Sequence, residues 1–135
     1  MGFKMNKRHL KLYKNIANLI MDCSADKKKK VGAILIKDGR ILATGYNGQI
    51  PGEKHIPIER NGKDISTVHA EQNVLCFCAK NGISTNDCEL ITTLYPCNDC
   101  TKLLIQAGIK RIYYIEEKNI GDNIFKKFIK IKKLK

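Results

Sequence analysis

Residues 69–115 read HAEQNVLCFCAKNGISTNDCELITTLYPCNDCTKLLIQAGIKRIYYI, and the order of elements in that stretch decides the fold. The spacing predicts a helix over His69–Lys80, closed by Asn81-Gly82, since glycine accepts the left-handed turn that ends a helix. Ser66 or Thr67 is the expected cap at its start. Leu90–Leu94 reads as a strand, Asn98–Ala107 as a helix ended by Gly108, and Arg111–Ile115 as a further strand. A helix between two strands is a crossover, so the strands that it joins run parallel.

Upstream, Val31–Ile36 (VGAILI) and Ile41–Gly45 (ILATG) flank Lys37-Asp38-Gly39-Arg40. An Asp-Gly pair between apolar runs predicts a tight antiparallel hairpin. Leu10, Tyr13, Ile16, Ala17 and Ile20 recur at helical spacing, which predicts an opening helix over Lys7–Asp22. Tyr46–Thr67 has no clear period and reads as a long loop, and long loops within compact domains tend to be functional. Beyond the last strand, a short helix near Asn123–Phe128 and a weak strand over Phe128–Ile131 are expected. The order α-β-β-α-β-α-β implies an α/β protein, a three-layer α/β/α sandwich around a central mixed sheet.

The 135 residues, 43% apolar and 28% charged, suit one folded domain spanning 1–135. Its core is expected at about residues 7–115, with a basic C-terminal tail over 119–135. No apolar run approaches the ~20 residues of a membrane span, and Met1–Leu10 lacks the apolar segment of a signal peptide. A cytoplasmic location is therefore expected. In that setting the six cysteines point to metal or catalysis rather than disulfides. Cys23, Cys76, Cys78 and Cys88 are scattered and read as small buried hydrophobes.

The formal charge of +12 raises nucleic-acid binding as a possibility. However, 21 of the 25 basic residues are lysine, dispersed along the chain and accompanied by 19 isoleucines and 11 asparagines, a compositional bias more than a built surface. Only four are arginine, the residue suited to bidentate base and phosphate contacts. Nucleic acid is thus disfavoured as a partner, and attraction of small anionic substrates is the better use of the charge.

The chemistry lies in His69-Ala70-Glu71 and Pro96-Cys97-Asn98-Asp99-Cys100. Either segment alone carries little information. Together, with 24 residues between Glu71 and Pro96, they form the H-x-E…P-C-x-x-C signature of zinc deaminases. Cys97 and Cys100, at i and i+3, face the same way from a helix start whose positive end favours thiolates. With His69 they make three ligands and leave a tetrahedral position open, which marks a catalytic zinc site. Zinc with two thiolates is already neutral, so its water is only moderately activated and a base is needed. Glu71 is the candidate proton shuttle. A structural zinc staple, completed by Cys76 or Cys78, and a redox CxxC are the competing readings. The first leaves Glu71 idle, and the second leaves His69-Ala70-Glu71 unexplained.

The runs VGAILI, GYNG, HAEQN, YPCNDC and IQAGIKRIYY resemble the deoxycytidylate (dCMP) deaminases of the cytidine-deaminase superfamily over about Val31–Tyr114. The resemblance implies a cytidine-deaminase-like fold and hydrolysis of dCMP to dUMP and ammonia, feeding thymidylate synthesis. It implies that His69, Cys97 and Cys100 bind zinc and that Glu71 shuttles the proton. It also implies that Asn47 contacts the deoxyribose 3′-hydroxyl, with Tyr46, Ala70 and Tyr114 among the substrate contacts. A homohexamer is implied, with activation by dCTP and inhibition by dTTP, effectors that bind with Mg²⁺.

Three departures stand out. Gln49-Ile50-Pro51-Gly52 displaces the family's proline by one position. His55 is followed by Ile56 rather than cysteine, which disfavours a second, structural zinc. Glu116-Glu117-Lys118-Asn119 stands where members carry a base-stacking tyrosine, which leaves stacking to Tyr95, Tyr113, Tyr114 or a partner subunit. Lys54, Arg60 and Lys63 are candidates for a 5′-phosphate, or equally solvated loop charges. A tRNA or other polynucleotide deaminase fits less well, because those enzymes resemble E-P-C-x-M-C where this chain has Tyr95-Pro96-Cys97-Asn98-Asp99-Cys100. A catalytically inactive, zinc-stabilised RNA-binding module would not need Glu71.

Overall fold

The computed structural model describes residues 4–52, 57–117 and 122–135. Helix α1 (Lys7–Met21) starts at Asn6, whose side-chain oxygen accepts from the His9 N–H at 3.0 Å. The hairpin follows as β1 (Gly32–Lys37) and β2 (Arg40–Tyr46). Its turn residues Asp38 and Gly39 have φ of 49° and 80°, the doubly left-handed turn that matches the twist of the strands. Tyr13, buried on α1, donates to the Gly39 carbonyl at 2.7 Å and latches the turn to the helix.

Then come β3 (Glu59–Arg60), β4 (Lys63–Asp64), α2 (Ala70–Asn81), β5 (Glu89–Leu94), α3 (Asn98–Gln106), β6 (Arg111–Glu116), a 3₁₀ turn (Lys126–Phe128) and β7 (Lys130–Lys133). The main sheet has the order β2-β1-β5-β6-β7. β1 runs antiparallel to both β2 and β5, whereas β5, β6 and β7 are mutually parallel. The expected α/β architecture with a mixed sheet is therefore the one observed.

The alternation of β1 builds both sides of the core. Ala33 and Leu35 pack with Val74, Leu90 and Leu104 beneath α2 and α3, while Ile34 and Ile36 pack with Tyr13, Ala17 and Ile91 beneath α1. A strand covered on both faces must be apolar throughout, which explains the unbroken VGAILI run. Among the described residues no helix is long and apolar enough to cross a membrane.

Several expectations are corrected. His69, not Ser66 or Thr67, occupies the cap position of α2, because Asp64 engages both hydroxyls, at 2.5 and 3.0 Å. The loop contains the small β3–β4 pair, too short and too charged to show a period. The helix expected at Asn123–Phe128 shrinks to one 3₁₀ turn, and the final strand lies two residues later than expected. Of the segment expected as a basic tail over 119–135, the described residues 122–135 do not lie outside the core: Ile129 and Leu134 are buried and β7 extends the sheet. Cys78 and Cys88 are buried as expected, but Cys23 and Cys76 are exposed.

Gly32 sits where the end of α1 crosses β1, and a methyl group there would lie 2.5 Å from both Ala17 O and Met21 N. These are backbone atoms and cannot step aside. Gly32→Ala is expected to lower unfolding stability by about 2–3 kcal/mol. Gly48→Ala, with nothing within 4 Å, should change it by less than about 0.5 kcal/mol. Denaturant titration of the two variants checks the contrast.

Candidate metal centre

β5 and β6 deliver the chain to one edge of the sheet, where ligand sites of α/β proteins gather. α2 and α3 both begin at this edge. His69 precedes α2 in an extended conformation, its N–H donating to Gln72 Oε1 at 2.9 Å. Cys97 holds the same position before α3, with the Cys100 N–H directed at its sulfur at 3.5 Å. Extended residues at two adjacent helix starts turn their side chains toward each other.

His69 Nδ1 lies 3.6 Å from Cys97 Sγ and 3.2 Å from Cys100 Sγ, and the three donor atoms fall within 4.8 Å of one another. Tetrahedral zinc, with Zn–N of about 2.0–2.1 Å and Zn–S of about 2.3 Å, places such atoms about 3.6 Å apart. The donor set fits the ion in chemistry and in spacing.

The electrostatics agree. Cys100 donating to the Cys97 sulfur, aided by His69, holds the Cys97 thiol down at about 4. The same hydrogen bond and burial push Cys100 far above the ordinary thiol range. The His69 imidazole is raised by its hydrogen bond to Cys97. Glu71, two residues along, is 5% exposed, and burial pushes its carboxyl up, with the neighbouring Cys97 sulfur adding to the rise.

A cleft of about 590 Å³ opens onto these groups, a size suited to a small organic ligand. His69, Ala70 and Glu71 line it, together with residues from 25–29 and 57–67. Asp64 organises the second wall. It accepts from Ser66, Thr67 and the Ile58 N–H, contacts that hold its carboxyl down at about 2, those from Ser66 foremost.

The remaining candidates separate. Asn47 borders the cleft, but its side chain is engaged with the chain itself: Oδ1 accepts from Val31 N at 2.8 Å, and Nδ2 donates to Lys29 O at 2.7 Å. Ala70 is fully buried and lines the cleft. Tyr46 is 44% exposed and does not line it. Tyr114 stands edge-on behind Tyr95, their centroids 4.8 Å apart, and Tyr95 is the one at the cleft. Tyr113 turns to Glu89, donating at 3.2 Å.

Arg60 and Lys63 lie outside the lining, whereas Lys27, Lys28 and Lys29 belong to it. The lysine run was visible in the sequence, but its placement depends on Asn47, 18 residues from Lys29. Lys54, His55, Ile56, Lys118 and Asn119 fall outside the described residues.

The family described as cytidine and deoxycytidylate deaminase zinc-binding region matches residues 6–116. In sequence the chain is similar to ComE operon protein 2 of Bacillus subtilis (strain 168), 43% identical over 91 residues that cover 64% of this chain and 48% of that protein. It is also similar to the deoxycytidylate deaminase of Homo sapiens, 33% identical over 112 residues covering 76% and 62%. The chain thus spans about half the length (48%) of the Bacillus protein. In structure it is similar to the dCMP deaminase of cyanophage S-TIM5 in complex with dCMP and dUMP. That match has a TM-score of 0.86 at 37% identity, covering 96% of this chain and 99% of the other.

Asn47→Ala removes the partners of the Val31 N–H and the Lys29 carbonyl. It is expected to cost about 2–3 kcal/mol of stability. A ligand contact alone would leave the unfolding curve of the free protein unchanged, so thermal or urea unfolding without ligand distinguishes the two roles.

Proposed function

Because the chain belongs to the cytidine and deoxycytidylate deaminase family, we propose that it hydrolyses dCMP to dUMP and ammonia, feeding thymidylate synthesis. The observation that carries the reading is the convergence of His69 Nδ1, Cys97 Sγ and Cys100 Sγ beside the buried Glu71 carboxyl.

In this reading His69, Cys97 and Cys100 hold zinc. Bound there, the ion supplies the Lewis acidity that makes water nucleophilic near neutral pH. Glu71 takes a proton from the attacking water and passes it to the ring nitrogen next to the amino-bearing carbon. It then carries the second proton to the departing amine, so that one water is consumed and one ammonia leaves. Burial suits Glu71 to this exchange, since a desolvated carboxylate accepts a proton readily. Ala70, which lines the cleft and has no side chain beyond Cβ, leaves room there for a flat ring. Tyr95 offers an aromatic face at the wall, with Tyr114 backing it edge-on.

A nucleotide rather than a nucleoside is favoured by Lys27, Lys28 and Lys29 at the cleft, whose charge suits a 5′-phosphate. Asn47 contributes by holding these lysines in place, and a bond to the sugar hydroxyl is compatible with its position. The reading extends to a cytoplasmic homohexamer of single-domain chains, activated by dCTP and inhibited by dTTP with Mg²⁺.

Glu71→Ala is expected to retain about one zinc per chain and to lose at least ~100-fold in kcat. Metal analysis and ammonia release from dCMP check the two halves, and near-normal turnover would remove Glu71 from the proton route. The same assay with CMP, deoxycytidine, dCTP and a tRNA hairpin, each with and without dCTP or dTTP, tests substrate and effectors. Preference for the hairpin over dCMP would favour the polynucleotide reading.

A further inference from the structure

Cys97 hangs between two peptide planes, and a side chain 26 residues further along reaches one directly and the other through Thr101. Asn123 Nδ2 donates to the Pro96 carbonyl at 3.1 Å and to Thr101 Oγ1 at 2.8 Å. Thr101 Oγ1 in turn donates to the Cys97 carbonyl at 2.8 Å. Asn123 and Thr101 are 4% and 0% exposed, so water does not compete for these bonds. Asn123 Oδ1 accepts from the Phe125 N–H at 3.0 Å, which occupies the oxygen end of the amide and leaves the NH₂ end for Pro96 and Thr101. A second tie lies alongside, the Ile124 N–H donating to Asn98 Oδ1 at 2.9 Å.

Packing of a C-terminal segment needs only apolar contact, and Ile129 and Leu134 already provide it. A buried amide that holds the carbonyl before one cysteine directly, and the carbonyl after its Cα through Thr101, does something more specific. It restricts rotation about the Cys97 backbone and thereby the direction of its sulfur. We propose that Asn123, acting through Thr101, is the positioning residue that aims Cys97 at the metal. The proposal rests on the reading of His69, Cys97 and Cys100 as zinc ligands. Groups behind a ligand commonly set metal affinity by about 10–100-fold when altered.

The test is the rate at which zinc passes from the protein to a chromogenic chelator, with the spectrum of the cobalt-substituted protein as a second readout. Asn123→Asp keeps the acceptor for Phe125 but has no N–H to donate. It should release zinc about 10-fold or more faster and shift the cobalt–thiolate bands. Thr101→Val, which removes the relaying hydroxyl at constant size, should do the same, while Thr101→Ser should behave as the unaltered protein. Asn123→Asp combined with Thr101→Val should fall short of the product of the two single effects, because the substitutions share the Asn123–Thr101 bond.

Release at the unaltered rate in both Asn123→Asp and Thr101→Val would overturn the proposal, as would Thr101→Ser releasing as fast as Thr101→Val. Should Asn123→Asp fail to fold, the Thr101 pair decides alone. An unaltered protein that binds no zinc would sink the metal reading itself. Normal zinc content with unchanged release in the variants would sink only the role of Asn123.

Discussion

The arrangement depends on two helix starts meeting at one edge of one sheet. A histidine before α2 and a cysteine before α3 are 28 residues apart in sequence, and nothing local brings them together. Strand β1 does so indirectly. Buried on both faces, it occupies the sheet between β2 and β5, so the helix that follows the hairpin and the helix that follows β5 lie side by side. Gly32 and Gly45 allow the close approach. A Cβ on Gly32 would strike α1, and one on Gly45 would come within 2.9 Å of Ala70 O at the start of α2. The position of His69 is therefore set by backbone packing at its neighbour, Ala70.

That division explains what could be read from the chain before its structure. The hairpin, both crossover helices and the parallel strands announce themselves through periodicity, an Asp-Gly turn and glycine stops. The H-x-E…P-C-x-x-C signature fixes which donors belong together because its chemistry requires particular residue types at particular helix positions. The rest is encoded in long-range hydrogen bonds that leave no periodic trace. Asn47 carries a turn-like Asn-Gly signature, yet its amide fastens a loop 16 to 18 residues upstream. Asn123 lies in a lysine-rich segment that reads as an appendage, and its role becomes visible only once Pro96 and Thr101 are placed beside it. The two-residue strands β3 and β4 are too short for any pattern to register.

The net charge shows how placement changes the meaning of composition. Lysine is spread over the whole sequence, and most of it serves no single surface. Those on β7 line an exposed edge of the sheet, where a row of like charges opposes pairing with another strand. Those at 27–29 are different because Asp26 accepts from the Lys28 and Lys29 N–H groups and Asn47 holds the Lys29 carbonyl. The backbone of that loop is fixed even though, among the described residues, these lysine side chains form no ion pair. A cationic loop with an ordered backbone beside a cleft has a defined use, and the same residues elsewhere would only raise solubility.

The two sulfurs carry the last step. Left to themselves, Cys97 and Cys100 share a proton, one thiol depressed and the other strongly raised, because two thiolates in contact repel and burial penalises both. Such a pair is a poor structural element: it withdraws two sulfurs from water for weak hydrogen bonds with His69 and the Cys100 N–H. A dication removes the conflict, since it makes ionisation of both sulfurs favourable and cancels the repulsion. Glu71 responds in the same sense. Its carboxyl is raised by burial and by the nearby thiolate, and neutralising that thiolate weakens the second cause while leaving the first. An ion in this position therefore does two things at once. It completes the sulfur pair, and it weakens one of the two causes that raise the Glu71 carboxyl.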